Sequence, residues 1–224
     1  MRGGAGTVIR RAVACAAMDV LAVDHPLVKT WLSTLRDRNT SDAAFRAALR
    51  VLTGMLVYEA CRASELAESP IETPLTGTTG YRLAKPPLLV PVLRAGLGMA
   101  EAALELLPQA RMGFVGAARD ERTHRPVPYM ASLPESLDGH PVFLLDPMLA
   151  TGGTLVHAVE LVMARGATAI TAICVLAAPE GLETVAASGL PVRVVTAQVD
   201  ERLNEVKFIV PGLGDAGDRQ FGPF

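Results

Sequence analysis

The chain has 224 residues, which suits one domain of ordinary to large size with ample length for a core. Hydrophobic residues make up 50% and charged residues 20%, a balance typical of globular rather than disordered chains. The formal net charge of −2 provides no excess of positive charge for nucleic acid or an anionic membrane, so an anionic small molecule would need a local basic site.

The first 22 residues are predicted to form a disordered extension ahead of a single domain over residues 23–224. Two arginines and a short apolar stretch near the start faintly resemble a signal peptide, but Asp19 interrupts the residues after that stretch, so export is not expected. Met18 would serve as an alternative start. No run approaches the roughly 18 apolar residues that a membrane helix requires, so the chain is expected in the cytoplasm and not in a membrane.

Two helices are predicted before the first buried strand. Residues 28–35 form the first, and residues 41–64 the second, with Ser41 and Asp42 as a plausible N-cap. Residues 72–81 are rich in Thr, Gly and Pro, which predicts a loop or short edge strands.

The rest of the chain alternates between short apolar strands and helices. Strands are predicted over residues 87–92, 111–117, 141–145, 169–176 and 192–197, and helices over residues 99–107, 154–165 and 181–188. Three strand–helix units in a row predict a parallel sheet covered by helices, which is an α/β fold. A polar, Pro-rich loop, or a loop containing a flexible hairpin, is expected over residues 119–134, and an irregular Gly-rich tail from Lys207.

Several kinds of chemistry are not expected. Three cysteines without a C-x-x-C pair indicate neither a disulfide framework nor a zinc site and fit a reducing compartment. Cys174 lies in an apolar run and is expected to be a buried structural thiol. The four histidines (His25, His124, His140 and His157) are unclustered, so metal ligation is not expected, and no motif of covalent catalysis occurs.

The segment 146–154 carries the main chemical signal. Asp146 follows an apolar strand directly, and Thr-Gly-Gly-Thr at residues 151–154 then opens a helix. Glycine lets the backbone approach an anion closely, while the amides of a helix N-terminus and Thr hydroxyls donate to phosphate oxygens. An acid at the end of the strand can accept hydrogen bonds from ribose hydroxyls. The pattern indicates a sugar-phosphate site at the C-terminal edge of a parallel sheet. The alternative is a purely structural strand-to-helix turn with Thr as the N-cap.

This segment resembles the phosphoribosyl pyrophosphate motif of type I phosphoribosyltransferases. Most of those enzymes place two adjacent acids there, whereas Pro147 follows Asp146 here, which is the variant seen in uracil phosphoribosyltransferases. The similarity runs from about residue 24 to the end. It implies a type I phosphoribosyltransferase-like parallel sheet flanked by helices, with a flexible loop and a C-terminal base-binding segment. It assigns phosphoribosyl pyrophosphate to Arg94, Arg119, Asp146, Pro147, Met148, Leu149, Ala150, Thr151, Gly152, Gly153, Thr154 and Asp215.

Two arginines outside the motif belong to the expected donor site. Arg94 stands between an apolar strand and Gly96, its planar guanidinium suits phosphate, and residues 91–96 resemble the family's pyrophosphate loop. Arg119 opens the long polar loop, and without the resemblance it would be interpreted as a solvated surface residue. A mobile loop there would suit a reaction that must exclude water, because hydrolysis of the sugar donor competes.

Residues 208–219, here called the hood, are the most specific match and resemble the family's uracil-binding segment. Their glycines also satisfy G-x-G-x-x-G, but a dinucleotide site is excluded because the chain ends before the acid that should follow about 20 residues later. By the resemblance, backbone groups bind uracil, and the assigned residues are Ile209, Gly214, Asp215 and Ala216, with Asp215 facing the sugar donor. Phe208 stands where the family commonly has Tyr, and residues 220–224 differ slightly from the usual ending.

The resemblance implies that uracil and phosphoribosyl pyrophosphate react to give uridine monophosphate and pyrophosphate, a step of pyrimidine salvage. No single general base is identified, and Asp146 and Arg94 are expected to be the most critical residues. Mg²⁺ is expected to arrive bound to the pyrophosphate, without direct protein ligands. The resemblance also suggests a homo-oligomer and leaves open whether GTP acts as an allosteric activator.

Three alternatives are weighed against this interpretation. A phosphoribosyltransferase for a purine or orotate is disfavoured by the hood. A regulatory RNA-binding protein on the same fold would need a basic face, which 21 Lys and Arg against 23 Asp and Glu do not indicate. A degenerate, non-catalytic member is disfavoured because the main motif positions are filled.

Overall fold

The computed structural model of the chain describes residues 18–119 and 126–223. Within these residues the α-helices are α1 (Pro26–Arg36), α2 (Asp42–Ala60), α3 (Leu97–Leu106), α4 (Gly153–Met163), α5 (Pro179–Ala187) and α6 (Asp218–Phe221). The strands are β1 (Val20–Ala22), β2 (Leu66–Glu72), β3 (Gly77–Leu83), β4 (Leu88–Leu93), β5 (Arg111–Met112), β6 (Phe114–Arg119), β7 (Pro126–Ser132), β8 (Pro141–Leu145), β9 (Met148–Leu149), β10 (Ala169–Ala177), β11 (Val192–Val199), β12 (Arg202–Leu203) and β13 (Ile209–Val210).

A mostly parallel sheet forms the centre of the molecule. Its strand order is β1-β11-β10-β8-β4-β6-β7, with β5 beside β4 and β9 beside β10. All neighbours along this path are parallel except β6 and β7. The predicted α/β fold with a helix-flanked parallel sheet is confirmed. Parallel strands covered on both faces should be apolar throughout, and β4, β8 and β10 are almost entirely buried.

Two apolar clusters lie on opposite faces of the sheet. Successive residues of β8 alternate between them, with Phe143 and Leu145 in one cluster and Val142 and Leu144 in the other. This follows from the two-residue period of a strand. The first cluster is covered by α1, α2 and α3, and the second by α4 and α5.

The helix starts follow local capping chemistry. Ser41 Oγ accepts a hydrogen bond from the Ala44 N–H and caps α2, as predicted. The helix ends at Ala60 and continues as one 3-10 turn, Cys61–Ala63, so the predicted helix to residue 64 is slightly too long. In α1, Pro26 occupies the first helical turn, where its missing N–H costs nothing.

Two segments predicted as loops or short strands contain paired strands, and the tail is more ordered than the sequence predicts. The Thr/Gly/Pro-rich segment near residues 72–81 belongs to an antiparallel hairpin of β2 and β3. Strand β7 occupies part of the predicted loop 119–134 and pairs with β6, while residues 120–125 lie outside the described residues. The tail contains a short β12–β13 pair and α6.

The expected disordered extension, residues 1–22, overlaps a described strand. Val20–Ala22 pairs in parallel with β11, so this end of the extension is part of the sheet. Residues 1–17 lie outside the described residues, and there the extension stays a prediction. No helix within the described ranges is both long and apolar enough to cross a membrane.

Candidate functional site

The predicted sugar-phosphate segment lies at the C-terminal edge of the parallel sheet. Asp146 directly follows β8, and its N–H donates to the Ile173 carbonyl at 3.2 Å. The chain then turns into α4, with Gly152 as the N-cap at φ +83°. A Cβ on Gly152 would lie 2.7 Å from the Gly181 carbonyl oxygen, so only glycine fits this turn without strain. The arrangement presents the N-terminus of α4 beside the acid, which is favourable for an anion.

The Asp146 carboxyl is electrostatically unusual. Burial raises its pKa from 3.8 to about 6, and the Met148 N–H, which donates to Asp146 Oδ1 at 3.2 Å, lowers it in part. A carboxylate held in this way gains from any ligand that donates hydrogen bonds to it.

Cys174 lies in β10 near this acid and is fully buried. Burial, together with the charge of Asp146, raises the pKa of its thiol well above the ordinary value. The thiol is therefore protonated at neutral pH and unsuited to attack a substrate. The prediction of a buried structural cysteine is confirmed.

The segment after β4 forms a second turn at the same edge. The peptide bond between Leu93 and Arg94 is cis, and the Gly96 N–H donates to the Val92 carbonyl at 2.9 Å. A side chain on Gly96 would overlap the Leu145 carbonyl oxygen, so this turn lies directly against the end of β8. The predicted phosphate-binding turn and the Asp146 turn are thus adjacent in space.

Arg94 reaches from that turn to the hood. Its Nη2 lies 3.2 Å from Asp218 Oδ1, and its side chain is about half exposed. Asp215 Oδ1 accepts the N–H groups of Gly217 and Asp218 at 2.8 and 2.9 Å, which shapes the start of α6. The hood therefore lies over the Arg94 turn.

Two side chains fasten the end of the hood to the body of the domain. The first is Arg219, which donates to the carbonyls of Leu35, Leu213 and Asp37, and its guanidinium lies 4.4 Å from the centre of the Phe45 ring. Burial lowers the pKa of this guanidinium somewhat.

The second side chain, Gln220, directly follows the hood, is fully buried, and joins the hood to the turn after β4. Its Nε2 donates to the Ala95 carbonyl at 3.0 Å and to the Ala216 carbonyl at 2.7 Å. One amide therefore connects the turn after β4 to the hood.

An open pocket of about 210 Å³ lies between the Asp146 turn, here called the cradle (residues 146–154), and the hood. It is lined by Ala95, Asp146, Met148, Leu149, Ala150, Thr151, Gly152, Thr154, Leu155, Lys207, Phe208, Ile209, Gly214, Asp215, Ala216 and Gly217. Most of the residues predicted for the sugar donor and all four predicted for the base thus meet in one cavity, although they lie more than 50 residues apart in the chain.

Four predicted residues do not line this pocket. Gly153 begins α4, and the Pro147 carbonyl accepts the N–H groups of Val175 and Leu176 within the sheet. Arg94 points to the hood, as described above. Arg119 ends β6, and its side chain lies outside the described part of the chain.

Several residues at the site were not identified from the sequence. Ala95, Leu155, Lys207 and Gly217 line the pocket, and Lys207 has a left-handed backbone at φ 65°. Ala95 and Gly217 lie in the two segments that resemble the family, whereas no local pattern distinguishes Leu155 and Lys207. Asp200 lies behind the hood and could have been recognised as a candidate from the sequence, because it directly follows the apolar strand β11 as Asp146 follows β8.

No three His, Cys, Asp or Glu side chains in residues 18–119 and 126–223 are grouped so as to hold a metal ion. The oxygen donors in the pocket are the carboxylates of Asp146 and Asp215 and the hydroxyls of Thr151 and Thr154. Such a set suits an ion that keeps most of its ligands from substrate and water.

Comparison with known proteins gives a consistent result. A family model described as uracil phosphoribosyltransferase matches residues 22–223. Uracil phosphoribosyltransferases of Corynebacterium diphtheriae and Corynebacterium efficiens are 55% and 54% identical over 206 residues, covering 92% of this chain and 98% of each relative. A solved structure of a protein from Aquifex aeolicus has a TM-score of 0.86 at 39% identity, covering 91% of this chain and 98% of that chain.

Proposed function

The chain belongs to the uracil phosphoribosyltransferase family, and on that premise we propose that its pocket joins uracil to 5-phosphoribosyl 1-pyrophosphate, giving uridine monophosphate and pyrophosphate. The observation that carries this proposal is the single cavity lined both by the cradle and by the hood. A group-transfer enzyme must hold donor and acceptor side by side, and this cavity offers one subsite for each.

The donor subsite is proposed to bind the sugar phosphate through the cradle. The backbone of residues 151–154, the Thr hydroxyls and the N-terminus of α4 supply donors to the 5-phosphate. The ionised Asp146 accepts hydrogen bonds from the ribose hydroxyls, which offsets the cost of its burial. Met148, Leu149 and Ala150 form the floor between these groups, and Asp215 faces the sugar from the hood.

Arg94 and Arg119 are proposed to stabilise the charge of the departing pyrophosphate. Arg94 is supported by its place at the turn after β4, beside the end of β8, and by the strength of guanidinium–phosphate hydrogen bonds. Arg119 is supported by its place at the end of β6, which lies next to β4 at the same edge.

The acceptor subsite is proposed to recognise uracil through the backbone of Ile209, Gly214 and Ala216, with Asp215 between them. Uracil presents two carbonyl acceptors on either side of one N–H donor. Cytosine places a donor where uracil has an acceptor, which would leave buried groups unpaired and disfavour its binding strongly.

The reaction itself relies on positioning. The bond between the anomeric carbon and the pyrophosphate oxygen breaks with oxocarbenium-like character, and its electron pair leaves with pyrophosphate. Uracil N1 attacks the opposite face, so the centre inverts, and the proton of N1 passes to the departing pyrophosphate or to water. Orientation of the two substrates and preorganised charge supply most of the acceleration.

Mg²⁺ is proposed to enter with the pyrophosphate, in keeping with the family and with the sparse carboxylates of the pocket. When bound there, it neutralises charge on the leaving group. The carboxylate of Asp146 accepts one backbone hydrogen bond, from Met148, whereas Asp215 Oδ1 accepts two. Asp146 is therefore the acid with more free acceptor capacity for a ligand.

The cellular context is proposed from the family resemblance. The enzyme works in the cytoplasm as a homo-oligomer built from a single-domain subunit, residues 23–224 together with β1. GTP is proposed as an allosteric activator on the same basis, and titrating GTP into an initial-rate assay tests it.

The decisive assay offers uracil, cytosine, orotate and hypoxanthine separately, with phosphoribosyl pyrophosphate and Mg²⁺. Only uracil should give its nucleotide at a substantial rate.

Asp146→Asn and Arg94→Ala should each lower turnover about 100-fold, the scale of losing one group that stabilises transition-state charge, while the circular dichroism spectrum is unchanged. Arg50→Ala, which removes a surface pair with Glu105 between α2 and α3, is the control and should leave the rate unchanged. Near-normal rates for both site variants would disprove the site assignment.

A further inference from the structure

A buried ion pair lies behind the hood, where the end of α1 meets the end of β11. Arg36 Nη2 is 2.5 Å from Asp200 Oδ1, and Arg36 Nη1 is 2.9 Å from Asp200 Oδ2. The Asp200 side chain is 0% exposed and that of Arg36 is 21% exposed. The two parallel hydrogen bonds fix the orientation of both groups as well as their distance.

This ion pair holds both backbone polar groups of one hood residue. The Gly212 N–H donates to Asp200 Oδ2 at 2.9 Å, and the Gly212 carbonyl accepts from Arg36 Nη1 at 2.8 Å. Gly212 has a left-handed backbone at φ +63°, and a side chain on it would overlap the Ile209 carbonyl. Gly212 therefore cannot shift along the hood, and neither of its two flanking peptide groups can rotate, without breaking a contact to a charged group.

Gly212 lies between the groups proposed to recognise the base. Ile209 is three residues before it and Gly214 is two residues after it, and both line the pocket. Backbone recognition provides no side chain that could adjust to a misplaced base. The distance between the Ile209 and Gly214 backbones must therefore be set from behind, and the ion pair is anchored to two rigid elements, α1 and β11.

We propose that Arg36 and Asp200 are positioning residues for the pyrimidine, acting through Gly212 to hold the two halves of the hood at the spacing that uracil requires. This inference rests on the proposed role of the hood. A purely stabilising role is a weaker explanation, because replacing a buried ion pair with apolar residues is often neutral for stability. Gln198 supports the arrangement by donating to Asp200 Oδ1 at 3.3 Å.

The test compares the Michaelis constants for the two substrates in Arg36→Met and Asp200→Asn. We expect KM for uracil to rise about 10- to 100-fold, the scale of a small misplacement at a binding site, while KM for phosphoribosyl pyrophosphate changes less than about twofold. The double variant should be no worse than the poorer single variant, since both side chains act through the same residue, Gly212. Arg36→Lys keeps the positive charge but cannot make two parallel hydrogen bonds to Asp200, so it should have an intermediate KM for uracil.

Arg193→Met is the matched control. Arg193 lies at the other end of β11, is 26% exposed, and pairs with Asp19 at 3.1 Å, far from the hood along the strand. It should leave both KM values unchanged. All rates are measured at a temperature at which thermal unfolding shows each variant to be folded.

The outcomes separate cleanly. If the variants lower only the melting temperature or kcat, with KM for uracil unchanged, the pair is merely structural and the inference is wrong. If Arg36→Met and Asp200→Asn do not fold at any temperature, Arg36→Lys decides by the same split between the two KM values. A wild-type enzyme that forms no uridine monophosphate would instead overturn the proposed function.

Discussion

Among single residues, Asp146 combines its proposed role in binding ribose with a cost to the stability of the ligand-free protein. Its carboxyl is half-buried at the end of β8, where it lines the pocket, and desolvation raises its pKa to about 6. Because this value lies above the ordinary 3.8, the unfolded chain loses the proton first as the pH rises. The contribution of this group to stability is therefore full below about pH 4 and declines until about pH 6, where the folded state also ionises.

Asp146→Asn should stabilise the ligand-free protein in a pH-dependent way. At pH 7.5 the free energy of unfolding should rise by about 1–3 kcal/mol, since one pKa unit corresponds to about 1.4 kcal/mol. At pH 4 the gain should nearly vanish, because the carboxyl is then neutral in both states. Urea unfolding of both proteins at the two pH values measures this. An equal gain at both would show that packing, and not ionisation, causes the effect.

Above single residues, the two strand–helix turns depend on glycines that no other residue can replace. Gly96 and Gly152 each lie against the backbone of a neighbouring segment, which lets the turns after β4 and β8 share one edge. Local elements built in this way present backbone amides to a ligand without side chains in between.

Gly152→Ala should damage both stability and donor binding. A left-handed backbone costs a non-glycine residue about 1–2 kcal/mol, and the contact with the Gly181 carbonyl adds to this. The melting temperature should fall and KM for phosphoribosyl pyrophosphate should rise. Gly54→Ala is the control, because Gly54 lies in α2 with open space around it and should gain about 0.5–1 kcal/mol. An unchanged KM in Gly152→Ala would mean that the turn does not bind the phosphate.

At the scale of the whole molecule, the central sheet includes a strand, β1, that lies within the N-terminal segment predicted to be disordered. Strand β1 has only three residues, yet each pairs with β11, and the Val23 N–H donates to the Thr196 carbonyl at 2.9 Å. The edge of the sheet on this side is thus completed by residues for which the sequence predicts disorder.

A chain that starts at Met18 should unfold at the same temperature as the full chain, since it keeps β1 and the ion pair between Asp19 and Arg193. A chain that starts at Asp24 should unfold at a temperature lower by about 2–8 °C, as expected for losing one to two kcal/mol in a domain of this size. Differential scanning calorimetry compares the three. Equal midpoints for all of them would mean that β1 contributes nothing to stability.

The regular elements were predictable because their signals are local. Apolar strands such as residues 141–145 and the Ser41 cap of α2 depend on neighbours a few residues away. The β2–β3 hairpin was less clear, since its exposed strands lack the apolar alternation of a buried sheet.

The sequence by itself located the cradle and the hood, because each is one contiguous run. The cradle combines a strand, an acid and a Gly/Thr turn in order, and the hood resembles the base-binding segment of the family. Only the tertiary structure decided how they meet. Arg36 and Asp200 lie 164 residues apart, and Arg94 and Asp218 lie 124 apart. Their approach depends on the order of strands in the sheet and on the path of the tail. That order is a property of the packed core as a whole, so no local pattern could have predicted these two pairings.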